Sequence, residues 1–161
     1  MKKELEDRGY NVWLPNLPHA EKPNIKDWLS FILQNGKINK ETVLIGHSAG
    51  AQIILSVLEN IDIKIKQAIL VSGYSKELPK DIDSEMNANE FNWDSIHPHA
   101  EKFVFINSDN DPWGCDDKQG RIMFDHLGGI QIILQEGHMG STKFNQPYKK
   151  FPLIVKLVEL A

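Results

Sequence analysis

The chain reads as an α/β protein, a three-layer α/β/α sandwich around a mainly parallel sheet. Three features predict this. Short apolar, β-branched runs alternate along the 161 residues with segments of helical period, the pattern of parallel strands covered by helices on both faces. One run, Thr42-Val43-Leu44-Ile45, breaks into Gly46-His47-Ser48-Ala49-Gly50 and then into a helical segment, the strand–turn–helix context of a nucleophile elbow. Further on, an aspartate-bearing loop and then a histidine-bearing loop each follow a strand-like run. In such sheets ligands bind beyond the carboxyl ends of the strands.

In chain order, residues 2–8 read as the end of a helix stopped by Gly9. Residues 10–14 (Tyr-Asn-Val-Trp-Leu) alternate like a strand and halt at Pro15, which opens a proline-rich loop through Pro18. Asn24 is placed to cap a helix over 24–34 whose Ile25, Trp28, Leu29 and Ile32 share a face. Residues 42–50 form the elbow strand, 51–60 its helix and 64–72 the next strand. Residues 74–91 are polar without a clear period and read as a loop with a helical turn over the site. A short helix over 92–96 precedes a buried strand over 102–107, a helix over 117–127 and a last strand over 130–135. Residues 147–160 close the chain as an amphipathic helix with Phe151, Ile154, Val155 and Val158 inward. Neither a repeat nor a linker divides the sequence, so one domain over 1–161 is expected.

Composition narrows the partners. Hydrophobic residues make up 41% and charged residues 25%, with a net charge of −4, which gives no reason to expect nucleic acid or an anionic membrane. The single cysteine, Cys115, cannot pair within the chain and fits a reducing compartment. Lys2-Lys3 is followed by Glu4, Glu6 and Asp7 where a signal peptide would be apolar, and no stretch approaches the ~20 apolar residues of a membrane span. A cytoplasmic protein acting on a small molecule is the expectation, with no cofactor, no metal and an open oligomeric state.

A bare G-x-S-x-G recurs by chance, but the strand before it and the helix after it make it specific. Gly46 and Gly50 are expected to relieve crowding at the turn. The helix that begins beside Ser48 turns unpaired N–H groups toward any oxyanion forming there. A serine hydroxyl needs a base to become a nucleophile. Glu136-Gly137-His138-Met139-Gly140 follows one strand and offers His138 as that base. Ser108-Asp109-Asn110-Asp111-Pro112-Trp113 follows another, where Asp111 would orient the imidazole and Asp109 competes for the role.

These residues resemble a known family, the small serine hydrolases typified by retinoblastoma-binding protein nine and the bacterial YdeN group, within the α/β hydrolases. The resemblance runs through Lys2-Lys3-Glu4-Leu5-Glu6, Leu17-Pro18, Trp28, the Gly-His-Ser-Ala-Gly elbow, Leu70-Val71-Ser72, Phe91-Asn92-Trp93, Asp111-Pro112 and Gly137-His138. It implies an α/β-hydrolase fold with a minimal lid or none, a triad of Ser48, Asp111 and His138, and hydrolysis of small carboxylic esters. It favours Asp111 over Asp109, because Asp111 precedes proline as in the family. It makes the Ala49 backbone N–H the first oxyanion donor. The family opens with a strand and a glycine-rich loop that supplies the second donor, ahead of the helix with which this sequence begins. The expectation is therefore an N-terminally shortened domain. Since losing one such donor costs on the order of a hundredfold in rate, a second reading is a catalytically silent, hydrolase-like binding protein. The Leu-x-Cys-x-Glu motif of some relatives is absent, as residues 31–39 hold no cysteine, so a retinoblastoma-type partner is not expected.

Other residues invite simpler roles. His97-Pro98-His99 lacks the partners and spacing of a metal site and reads as surface. His47 is expected to pack beneath the elbow. Asp116 and Asp117 should cap the following helix and discourage a thiolate at Cys115, a bystander thiol. Trp113 and Met139, with Phe91 and Trp93, are candidates for lining an acyl pocket or for plain core packing.

Overall fold

The computed structural model describes residues 1–78, 86, 90–141 and 150–161. Its centre is a four-stranded sheet in the order β1 (Val43–His47), β2 (Gln67–Val71), β3 (Phe103–Ser108), β4 (Ile130–Leu134). All three pairings are parallel: Ile45 lies opposite Ile69, Ile69 opposite Val104, and Ile106 opposite Ile132. Each connection must therefore cross over a face, and helices do so.

On one face, α3 (Ala49–Glu59), α4 (Trp93–Ile96) and α5 (Asp117–Leu127) press Leu55, Leu58, Ile96 and Met123 onto Ala68, Leu70, Phe103 and Phe105. On the other, α1 (Lys2–Glu6) and α6 (Pro152–Glu159) bring Leu5, Ile154, Val155 and Val158 onto Ile69, Val71, Val104 and Ile106. The alternation of side chains along each strand sorts them between these two cores. The result is the three-layer sandwich that the alternating pattern predicts. A further helix, α2 (Ile25–Asn35), lies outside α3, with Trp28 against Ile53 and its indole donating to the Pro18 carbonyl at 2.7 Å. That bond joins two of the segments that carry the family resemblance. Among the described residues no helix is long and apolar enough to cross a membrane.

Local signals set the element ends. The Asn24 side chain accepts from the Lys26 and Asp27 N–H groups, Asn92 from Ser95, and Asp116 from Lys118 and Gln119. Asp117 is the first residue of α5 and stands in its first turn, where its charge suits the helix dipole.

Two expectations need correction. Residues 10–14 form no strand: Val12 packs into the second core, Trp13 stacks on Phe31 with ring centroids 6.3 Å apart, and Leu14 is exposed. Alternation supplies only the side-chain pattern, and a strand also needs a neighbour to bond; this segment pairs with none of the described strands. The elbow helix starts at Ala49, immediately after the serine, rather than at 51. Of the loop expected over 74–91, residues 79–85 and 87–89 lie outside the described residues, as do 147–149 of the last helix, which begins at Pro152.

Candidate active site

Ser48 sits between β1 and α3 with φ 56° and ψ −120°, a region that non-glycine residues enter only when the surroundings force them. Its own N–H is tied to the Val71 carbonyl at the end of β2 (2.9 Å), and its carbonyl receives the Ala51 N–H (2.9 Å). Ala51 makes the first intrahelical bond, so the Ala49 and Gly50 N–H groups are among the donors at the head of the helix that have no partner within it. Gly46 is required by space: a Cβ there would collide with the Gly50 carbonyl. Gly50 itself is not, since a Cβ at position 50 would meet nothing within 4 Å. This corrects the expectation that both glycines relieve crowding; Gly50 is an ordinary helical position.

The loops after β3 and β4 meet at the same rim of the sheet. His138 Nδ1 donates to Asp111 Oδ2 at 2.8 Å, and the other carboxylate oxygen receives the Trp113 N–H at 2.8 Å. The Asp111 side chain is fully buried and His138 nearly so. Two more bonds stitch the loops together, from the Gly137 N–H to Asn110 Oδ1 (2.9 Å) and from the Glu136 N–H to Ser108 Oγ (3.1 Å). Asp109 is exposed, with its N–H given to the Leu134 carbonyl, so of the two competing aspartates it is Asp111 that meets the imidazole.

His47 links the elbow to this pair. Its Nε2 lies 2.7 Å from the His138 carbonyl oxygen, and the two rings stand edge to face with centroids 4.8 Å apart. A carbonyl only accepts, so Nε2 carries the proton. Burial of the ring holds its pKa below the ordinary 6.5 although the residue keeps an exposed face; the bond to the His138 carbonyl partly offsets this, and the neighbouring His138 adds to it. No local pattern signals this contact, because β1 and β4 are not neighbours in the sheet and the loop after β4 reaches His47 only across the rim.

Cys115 is buried 1% exposed at the foot of the Asp111 loop. Burial first, then Asp111 and Asp116, push its thiol pKa up. The expectation of a neutral thiol holds in direction, with burial as the main cause and Asp111 in place of Asp117. Below it Asn107 Nδ2 donates to the carbonyls of Gly73 and Cys115, tying the end of β2 to the Asp111 loop. Trp113 is half-buried against Tyr74, Leu78 and Cys115, its ring edge-on to His138 at 6.3 Å. Met139, by contrast, packs into the core beneath the sheet. Phe91 and Trp93 pack on the α3 side, where Trp93 stacks on His126 with centroids 4.6 Å apart. His97 and His99 lie in a 3₁₀ turn before β3, at the opposite end of the strands from Ser48.

Comparison with known proteins adds to this geometry. Residues 5–159 match the family model described as Serine hydrolase. The protein YdeN of Bacillus subtilis (strain 168) is 30% identical over 115 residues, 69% of this chain and 60% of YdeN, so the match spans less than two thirds of that relative. Serine hydrolase RBBP9 of Rattus norvegicus is 24% identical over 150 residues, 91% of this chain and 79% of its own. Among solved structures, the ydeN gene product of B. subtilis superposes with a TM-score of 0.87 at 24% identity, over 98% of this chain and 86% of that one. The esterase domain of a Rhodothermus marinus protein does so at 0.57 and 13% identity, over 89% and 72%. These two likenesses are of fold.

Proposed function

Because this chain belongs to the serine hydrolase family, we propose that it cleaves small carboxylic esters through Ser48, His138 and Asp111. The observation that carries the reading is the buried 2.8 Å bond between His138 and Asp111, whose loops leave the same rim of the sheet as the Ser48 elbow. With Nδ1 donating to the carboxylate, the neutral imidazole leaves Nε2 as its basic nitrogen. In the proposed reaction that nitrogen takes the Ser48 proton as Oγ attacks the acyl carbon, then returns it to the departing alcohol. Water activated in the same way releases the acyl group. The oxyanion would lie against the Ala49 N–H at the head of α3, where helix dipole and free donor favour negative charge. Trp113, beside His138, is the better candidate of the two pocket residues, since Met139 is committed to the core.

The test is labelling with a fluorophosphonate probe, which reacts only with an activated serine. Wild-type protein should label under native conditions, and Ser48→Ala and His138→Ala should not. Equal labelling of Ser48→Ala overturns the assignment of the nucleophile. A folded wild type that fails to label supports the second reading, a hydrolase-like binding protein.

A further inference from the structure

Cys115 is a buried nucleophilic group for which the proposed reaction has no use. Its Sγ, a carboxylate oxygen of Asp111 and a ring nitrogen of His138 all lie within 4.8 Å of one another. We propose that these three side chains form a binding site for a thiophilic divalent cation such as Zn²⁺, and that an ion bound there shuts down the acid–base pair.

The donor chemistry is what such an ion selects: one thiolate, one imidazole and one carboxylate, with a fourth tetrahedral position left for water. Donors around a zinc with bonds of about 2.0–2.3 Å stand roughly 3.3–3.8 Å apart. The His138–Asp111 pair, now 2.8 Å apart, must open by about half an ångström, and Cys115, within 4.8 Å of both donors, must close in by up to about an ångström. Charge favours the change. At rest the trio holds one buried negative charge on Asp111, beside a thiol kept neutral by burial and by Asp111 and Asp116. A dication that displaces the thiol proton leaves one carboxylate, one thiolate and a neutral imidazole around it, a sum of zero, which a buried position tolerates far better than a lone ion. The thiol proton passes to solvent, the imidazole releases its Nδ1 proton to solvent and takes one up at Nε2, so that it stays neutral, and no electron moves. The carboxylates that oppose a bare thiolate favour a cation at the same point. Hard cations such as Mg²⁺ prefer all-oxygen shells and keep their waters, so they should be excluded.

The inhibitory consequence rests on the proposed hydrolase reaction, whereas binding does not, and the experiment separates them. Co²⁺ is titrated into the whole protein as a spectroscopic stand-in for zinc. Because the chain has one cysteine, a thiolate-to-cobalt charge-transfer band can only come from Cys115. The band should form in wild type, vanish on adding Zn²⁺ but not Mg²⁺, and be missing in Cys115→Ser and Cys115→Ala. If neither variant folds, paramagnetic shifts of the His138 ring protons in cobalt-loaded wild type take their place. No band in wild type, or ring protons that do not shift, overturns the proposal. In parallel, Zn²⁺ should slow fluorophosphonate labelling of wild type at least tenfold, reversibly with chelator, and each cysteine variant less than twofold against its own zinc-free rate. Equal inhibition of wild type and variants overturns the inhibitory part. Absence of labelling before any metal is added counts against the hydrolase reading alone, and the cobalt spectrum still decides the site.

Discussion

Ser48, at φ 56°, holds a backbone conformation that costs a non-glycine residue of order 1–3 kcal/mol, and the bonds on both sides of it hold it there. His47 extends that constraint across the rim by binding the main chain of His138. Losing one such bond is worth about 1 kcal/mol, or several-fold in rate if it positions the base. His47→Gln, which keeps a donor, should retain most of the labelling rate; His47→Phe should lose about fivefold. Equal rates in the two variants would remove His47 from any positioning role. Its titration carries a sign as well. The folded pKa lies below 6.5, so as pH falls through 6.5 the unfolded chain takes up a proton that the folded state refuses. Stability therefore falls with pH in that window. Between about pH 7.5 and 5 the melting temperature of His47→Gln should drop less than that of wild type, as read by calorimetry; parallel curves would contradict this.

At the scale of the element, the elbow separates two glycines that look alike in the sequence. A methyl group at 46 would strike the Gly50 carbonyl, which is backbone and cannot rotate away, whereas position 50 opens onto free space within a helix. Gly46→Ala should cost on the order of 2 kcal/mol or more. Gly50→Ala should be neutral or stabilising by up to about 1 kcal/mol, from helix propensity. Urea unfolding measures both, and a loss at position 50 comparable to that at 46 would show that the turn constrains both sites. Two helix starts were legible for a related reason: Asn24 and Asp116 act on N–H groups two or three residues ahead, so the signal and its effect share one short stretch.

Across the molecule, β2 and β3 are paired on both sides and buried throughout, while β1 and β4 stand at the edges of the described sheet with half-buried or exposed residues. Opening either central strand disrupts both faces at once. Hydrogen exchange should therefore be slowest at Ile69, Leu70, Val104 and Phe105 and faster along β4, where Ile130 and Ile133 are exposed. Exchange as slow in β4 as in β3 would refute that order. Residues 10–14 mark where local reading ends, since their alternation matches that of a strand and the neighbour that would complete one is a property of the assembled sheet.

By itself the amino-acid order determined the sandwich, most of its elements, the caps at Asn24 and Asp116 and the elbow, because each depends on periodicity or on contacts a few residues long. The resemblance already favoured Asp111 over Asp109 as the partner of His138, whereas only the tertiary structure decided that His47 binds the His138 carbonyl and that Cys115 lies within reach of His138 and Asp111. The His47–His138 contact joins residues 91 positions apart, and both arrangements exist only where the loops after β3 and β4 gather at the rim of the sheet, which no local pattern encodes.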